Sequence, residues 1–252
     1  MTRATKTLTL AVAGLLLIAA CGGSTDTTTA APTTAAVASS TTAPLVPLST
    51  TAPAIPADYA GFRAQPTACG AAQPAANAAK GYTAAKDMRL DPTKKVRATI
   101  ATSCGPIVVE LDPATAPETV NSFVFLATEG FFDGSASHRV APGFLIQAGD
   151  PTGTGRGGPG YTIPDEPPPP GFEYSTGVLA MANAGPNTTG SQFFIMLGNS
   201  SLPPNYSAFG TVVEGLDTMA AIAGVPLGTV RGETSVPLES VYIESVSVEG
   251  LD

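Results

Sequence analysis

Basic residues are scarce in this sequence, and scarcest where the chain reads as globular. The 252 residues carry 12 Lys plus Arg against 20 Asp plus Glu, a formal net charge of −8. Beyond residue 97 only Arg139, Arg156 and Arg231 remain, set against sixteen acids. Such a field repels phosphate backbones and anionic lipid, so nucleic-acid binding is excluded. There is one histidine, His138, and the three cysteines form no Cys-x-x-Cys, which leaves too few ligands for a metal site; nothing calls for a cofactor. Long apolar runs are also missing. The longest uncharged one, residues 8–20, has the length of a signal-peptide core and is too short to span a bilayer. Tryptophan is absent altogether. What is present is 43% hydrophobic residues, enough for a core, with 27 Gly and 24 Pro, so one domain with non-globular tails is expected.

Arg3 and Lys6 precede the apolar run, which ends in Ile18-Ala19-Ala20-Cys21-Gly22. That ending resembles a bacterial lipobox. The resemblance implies removal of residues 1–20, acylation of Cys21, and a protein anchored by lipid to the cell membrane on its extracytoplasmic side. An ordinary secretory signal with an incidental cysteine is the alternative. Residues 24–57 are almost wholly Thr, Ala, Ser and Pro, with Asp26 as the one charge, and cannot bury enough apolar surface to repay chain ordering. Residues 21–57 are therefore expected to form a disordered tether, reaching on the order of 100 Å if extended like polyproline. Residues 58–95 read as an extension preceding the domain at 96–252. In an oxidising compartment, with Cys21 taken by lipid, pairing Cys69 with Cys104 is the economical reading; two free thiols are the alternative. A bridge would stabilise by roughly 4 kcal/mol in the chain-entropy model and pin residues 70–85 onto the domain.

Residues Val96–Thr102 and 106–111 are strand-like and flank Ser103-Cys104-Gly105, as in a hairpin. Pro117 and Glu118 suit a helix's first turn; Val120, Phe123, Val124 and Ala127 follow at helical spacing, and Gly130 suits the end. Short apolar stretches at 139–147, 178–182, 193–197, 208–213 and 241–248, cut by Gly, Pro and Asn, predict a closed or sandwiched antiparallel sheet. A weaker helix is expected over Leu216–Ala223. Three motifs lead nowhere. Gly153-Thr154-Gly155-Arg156-Gly157-Gly158 fits G-x-G-x-x-G but lacks a βαβ setting. Ser191 lacks a nucleophile elbow, and His138 has no evident acid partner, so it reads as a structural histidine with satisfied nitrogens.

Two segments are far more specific: Ser137-His138-Arg139-Val140-Ala141-Pro142-Gly143-Phe144-Leu145-Ile146-Gln147-Ala148-Gly149-Asp150 and Met181-Ala182-Asn183-Ala184-Gly185-Pro186-Asn187-Thr188-Thr189-Gly190-Ser191-Gln192-Phe193-Phe194-Ile195. Together they closely resemble the cyclophilin family of peptidyl-prolyl cis-trans isomerases. The likeness runs from about Val96 to Val248 and includes the 153–160 loop, Asp165-Glu166 and Phe209-Gly210. It implies a mainly β fold, a closed eight-stranded antiparallel barrel capped by two helices, with the active groove on its outer face.

Rotating an X-Pro bond means breaking amide resonance, a barrier of about 18 to 20 kcal/mol, and no bond to carbon is made or cut. Such a site needs an apolar seat for the proline ring, backbone clamps and a fixed cation or donor. The resemblance makes Arg139 that cation and Phe144, Leu145, Phe194 and Leu202 the proline pocket. It assigns Gln147 to the substrate carbonyl region and Asn183 to substrate backbone, with Ala182, Ala184 and Gln192 shaping the groove. The chain departs from the family at Ser201, where a Trp that contacts cyclosporin is common, and at Tyr206, where a His is common. Weak cyclosporin binding is therefore expected, with Tyr206 still offering a ring wall and a hydroxyl. The expected partners are proline-containing stretches of exported polypeptides, and a monomer is favoured. The competing readings are a catalytically weak module that only binds proline-containing segments, and a tethered solute-binding protein with a deep cavity.

Overall fold

The computed structural model describes residues 54–251; the signal segment, Cys21 and the tether up to residue 53 lie outside them. The strands are β1 (Val96–Thr102), β2 (Gly105–Leu111), β3 (Arg139–Ala141), β4 (Leu145–Ala148), β5 (Val178–Met181), β6 (Phe193–Met196), β7 (Ala208–Glu214), β8 (Leu227–Val230), β9 (Glu233–Pro237) and β10 (Ile243–Val248). The helices are α1 (Tyr59–Arg63), α2 (Pro117–Thr128) and α3 (Leu216–Ala223). Eight strands form one antiparallel sheet in the order β10-β1-β2-β7-β5-β6-β4-β3, and β8 and β9 form a separate hairpin. The fold is mainly β, as expected, but the expected closed barrel is corrected to a curled, open sheet. The curl brings the segments before β3 and β10 together at the Ala136–Tyr242 bridge, yet β3 and β10 do not pair. β3 has only three residues, and β9 packs beside it.

Side-chain alternation on the central strands builds two apolar layers. Ile146, Ala148, Leu179, Met181, Phe193, Ile195 and Phe209 face the main core. Leu145, Val178, Ala180, Phe194, Met196 and Ala208 face the other side and form a second cluster. Both faces are covered, so β5 and β6 are buried at every position. The main core is filled by aromatics: Phe123 lies 5.2 Å from Phe132, 5.5 Å from Phe193 and 5.3 Å from Phe209, centroid to centroid. This packing contradicts the deep cavity that a solute-binding protein would require.

α2 carries large apolar residues on most of its surface, and eight of its twelve residues are buried. The 58–95 extension explains this. Tyr82 packs edge-on against Phe125 at 5.0 Å, and Asn121 accepts the Met88 N–H. The basic segment docks on the acidic domain: Lys80 reaches the Glu129 carbonyl, while Lys86, Lys95 and Arg97 pair with the carboxylates of Glu129, Asp112 and Glu214. Cys69 and Cys104 are disulfide-bonded with Cα atoms 5.2 Å apart, tying the extension to the β1–β2 turn. Pro56, assigned to the tether on composition, is buried in the structure, and its Cα and Cβ lie close to Gly61. Ordering therefore begins a few residues earlier than composition implies.

Two further differences are local. The expected continuous stretch 139–147 is broken into β3 and β4 at Pro142-Gly143, where Gly143 takes a φ of 73° that suits glycine. The β8–β9 hairpin has no counterpart in the expected elements. It turns on Arg231-Gly232, both at positive φ, as a two-residue hairpin loop requires.

Candidate active site

Antiparallel pairing sets three side chains abreast. Arg139 on β3 is registered with Gln147 on β4, which is registered with Phe194 on β6. Arg139 Nη1 donates to Gln147 Oε1 at 3.3 Å, Gln147 Nε2 donates to Gln192 Oε1 at 3.1 Å, and Gln192 Nε2 donates to the Gly157 carbonyl at 3.0 Å. The guanidinium also lies 5.6 Å from the Phe144 ring centroid. Beside this relay is a cleft of about 310 Å³ lined by Arg139, Phe144, Leu145, Gln147, Ala182, Asn183, Phe194, Leu202 and Tyr206. Ala184 and Gln192 line the adjoining groove of about 760 Å³. All eleven residues singled out for catalysis and substrate contact thus gather on one surface. Phe194, only 3% exposed, and Leu145, 4% exposed, are both core and pocket floor, since the second apolar cluster lies directly under the cleft.

Backbone and loop contacts hold the rim. The Asn183 side chain donates to the Asn205 carbonyl at 2.8 Å, while its own N–H and C=O make no hydrogen bond among the described residues. The Asp165 carboxylate accepts the Asn187 N–H at 2.8 Å and the Thr189 hydroxyl at 2.9 Å, fixing the loop after Asn183. Its neighbour Glu166 accepts the Glu118 and Thr119 N–H groups at 3.0 and 2.8 Å. It supplies the cap that α2 lacks locally, next to the positive end of the helix dipole.

Two contributors escape sequence reasoning. Tyr174 is fully buried beneath the cleft; its hydroxyl donates to the Tyr206 carbonyl at 2.8 Å and accepts the Tyr206 N–H at 3.3 Å. The alternation of Phe172 and Tyr174 after Gly171 was the available signal. Glu233, at the start of β9, accepts from Arg139 Nε at 2.9 Å and from Nη2 at 2.6 Å through one oxygen. The hairpin brings this acid to Arg139 from 94 residues away. Three of the five guanidinium N–H groups are thereby engaged, leaving one on Nη1 and one on Nη2.

The 153–158 loop closes on Asp150, whose carboxylate accepts the Thr152 N–H at 2.7 Å and the Arg156 N–H at 3.0 Å. Burial alone would raise the Asp150 pKa, but hydrogen bonds from Thr152 and the Gly157 backbone hold it below the ordinary carboxylate value. The expectation that His138 has satisfied nitrogens is corrected: Nδ1 is buried without a hydrogen-bond partner among the described residues. Burial pushes its pKa below the ordinary histidine value; Asp150 opposes this and Arg139 adds to it. Between the depressed folded value and the ordinary one, the folded state holds His138 neutral while the unfolded chain protonates it. The resulting stability is full above about pH 6.5 and is lost as pH falls through the depressed folded value. Since His138 is the only histidine, thermal unfolding between pH 7 and 5 reads this group directly. The midpoint is expected to fall with pH in the wild type and to fall less in His138→Gln; equal slopes would refute the assignment.

Comparison with known proteins agrees with this geometry. Residues 97–248, more than half of the chain, match the family described as "Cyclophilin type peptidyl-prolyl cis-trans isomerase/CLD". The chain belongs to the cyclophilin-type family. It is 42% identical over 176 residues to the "Probable peptidyl-prolyl cis-trans isomerase B" of Mycobacterium tuberculosis, a match covering 63% of this chain and 56% of that protein. It thus spans little more than half the length of that relative. Identity is also 42% over 175 residues to the "Peptidyl-prolyl cis-trans isomerase B" of Streptomyces anulatus, covering 62% of this chain and 98% of that one. A crystal structure of a Cryptosporidium parvum cyclophilin is similar with a TM-score of 0.55 at 32% identity, covering 62% of this chain and 99% of that one. The same protein was also solved in the presence of the dipeptide Ala-Pro.

Proposed function

We propose that the protein is a peptidyl-prolyl cis-trans isomerase acting on exported polypeptides. The observation that carries this is the guanidinium of Arg139 held over an apolar cleft of about 310 Å³ by Gln147 and Glu233. The proline ring sits against Phe144, Phe194 and Leu202, and the free N–H and C=O of Asn183 hold the flanking backbone. As the amide twists, resonance is lost and electron density returns to the prolyl nitrogen; a remaining N–H of Arg139 donates to the nitrogen or to the carbonyl. Gln147 restrains the guanidinium and Gln192 restrains Gln147, so little reorganisation is needed when charge develops. Shortening a step of tens of seconds to milliseconds takes roughly 10⁴-fold, about 5.5 kcal/mol. In the test, a protein whose refolding is limited by proline isomerisation should lose its slow phase in proportion to added enzyme. An unchanged slow phase would refute the proposal.

The lipobox-like segment supports extracytoplasmic membrane attachment through Cys21. Expressed in a bacterium, the chain is expected in the membrane fraction and its Cys21→Ser form outside it; the same distribution for both would contradict lipid anchoring. Ser201 is exposed and supplies no indole wall beside Leu202. Cyclosporin is therefore expected to inhibit only at micromolar concentrations or above, and low-nanomolar inhibition would contradict this reading of the pocket rim.

A further inference from the structure

All three bases that the chain carries beyond residue 97 line a single cleft. Arg139, Arg156 and Arg231 meet around a cavity of about 770 Å³ that adjoins the proline pocket at Arg139. Of the sixteen acids in the same stretch, only Glu233 lines it, and Glu233 is paired with Arg139. Arg156 and Arg231 are exposed and form no ion pair among the described residues, whereas Lys86, Lys95 and Arg97 are each matched to an acid elsewhere on the domain. Both residues have a fixed backbone: the Arg156 N–H is tied to Asp150, and Arg231 sits in the tight turn of the β8–β9 hairpin. The cleft therefore gathers the positive charge of a stretch, residues 98–252, that is otherwise acidic.

Its walls say what kind of anion fits. Ile55, Pro56, Phe62, Val230 and Val236 line it beside Arg156 and Arg231, so apolar surface adjoins the two cations, with polar groups from His138, Thr154 and Ser235. A small hydrated anion gains nothing from such walls. A polypeptide bearing carboxylates gains both the charge-assisted hydrogen bonds and the apolar contact. Gly155 and Arg156 line this cleft and also the groove at Gln192, so an extended chain leaving the proline pocket meets Arg156 without crossing the acidic surface. The chain before Ala54 offers a single acid, Asp26, and does not complement the site.

We infer that this cleft is a subsite for Asp- or Glu-bearing segments of the polypeptide substrate, giving preference to prolines flanked by acidic residues. The inference rests on the isomerase reading for the seat of the proline, but not for the anion site itself. Binding of a fluorescent peptide of alternating Glu and Gly, without proline, to the full-length protein tests the site independently of catalysis. In about 0.1 M salt, where distant acids are screened, it is expected to bind at least tenfold tighter than its Gln counterpart. The Arg156→Gln/Arg231→Gln variant is expected to erase that difference. In parallel, an X-Pro peptide with flanking Glu is expected to show at least threefold higher kcat/KM than the Gln version. Arg231→Gln should remove this advantage and leave the rate on the Gln version unchanged. Tight binding that survives the double substitution would overturn the inference, as would inorganic phosphate competing as strongly as the peptide. Arginine-dependent binding without acceleration of either X-Pro peptide would uphold the acidic-peptide site and sink the isomerase reading instead.

Discussion

Replacing Arg139 with alanine is expected to lower kcat/KM on an X-Pro peptide by at least tenfold, about 1.4 kcal/mol of transition-state binding, with little change in fold. The loss falls on the chemical step because the proline seat of Phe144, Phe194 and Leu202 stays intact while the donor to the twisting amide is gone. A single preorganised donor commonly contributes 10²- to 10³-fold, so the effect has room to be larger. Arg139→Lys should recover little. An ammonium keeps the charge but cannot meet Gln147 and Glu233 together while still presenting donors to the cleft. Matching rates for wild type and Arg139→Ala would remove Arg139 from the mechanism.

The largest stability effect is expected at Phe123. It is 1% exposed and touches the rings of Phe132, Phe193 and Phe209, joining α2 to β6 and β7. Phe123→Ala removes the ring from the centre of a rigid aromatic cluster that cannot collapse around the gap, at a cost of about 3 to 5 kcal/mol. For a domain of this size that lowers Tm by roughly 10 °C. The site should suffer only indirectly, because Phe193 faces the core while its neighbour Phe194 faces the cleft. A thermal melt of the variant checks this, and a shift of only 1 or 2 °C would mean the cluster repacks.

What could be read from the sequence follows the range of the interactions involved. β1 and α3 carry their own patterns, alternation in one and glycine-bounded apolar spacing in the other, and both occur at the expected residues. The β8–β9 hairpin carried no such pattern. Gly228 and Thr229 break its alternation, Pro226 and Pro237 flank it, and Arg231 takes a turn position that usually falls to Asn or Gly. The local stretches admit either a closed or a sandwiched sheet and the likeness implies closure, but three-residue β3 lies beside β9 instead of pairing with β10. The cleft residues rest on likeness to a family, most of them within two motifs and Leu202 and Tyr206 beyond them, since spacing alone could not say that Leu145 and Phe194 face away from the main core. Register now gives that answer: Gln147 stands opposite Phe194, so their side chains share a face. Glu233 and Tyr174 act through contacts that span 94 and 32 residues, which no local pattern encodes.

The most direct test of the account is the cis-to-trans relaxation of a short X-Pro peptide, followed with and without the full-length protein. The account predicts that relaxation, tens of seconds uncatalysed, accelerates in proportion to enzyme concentration. Relaxation at the uncatalysed rate in the presence of folded protein would contradict it and leave a module that only binds proline-containing segments.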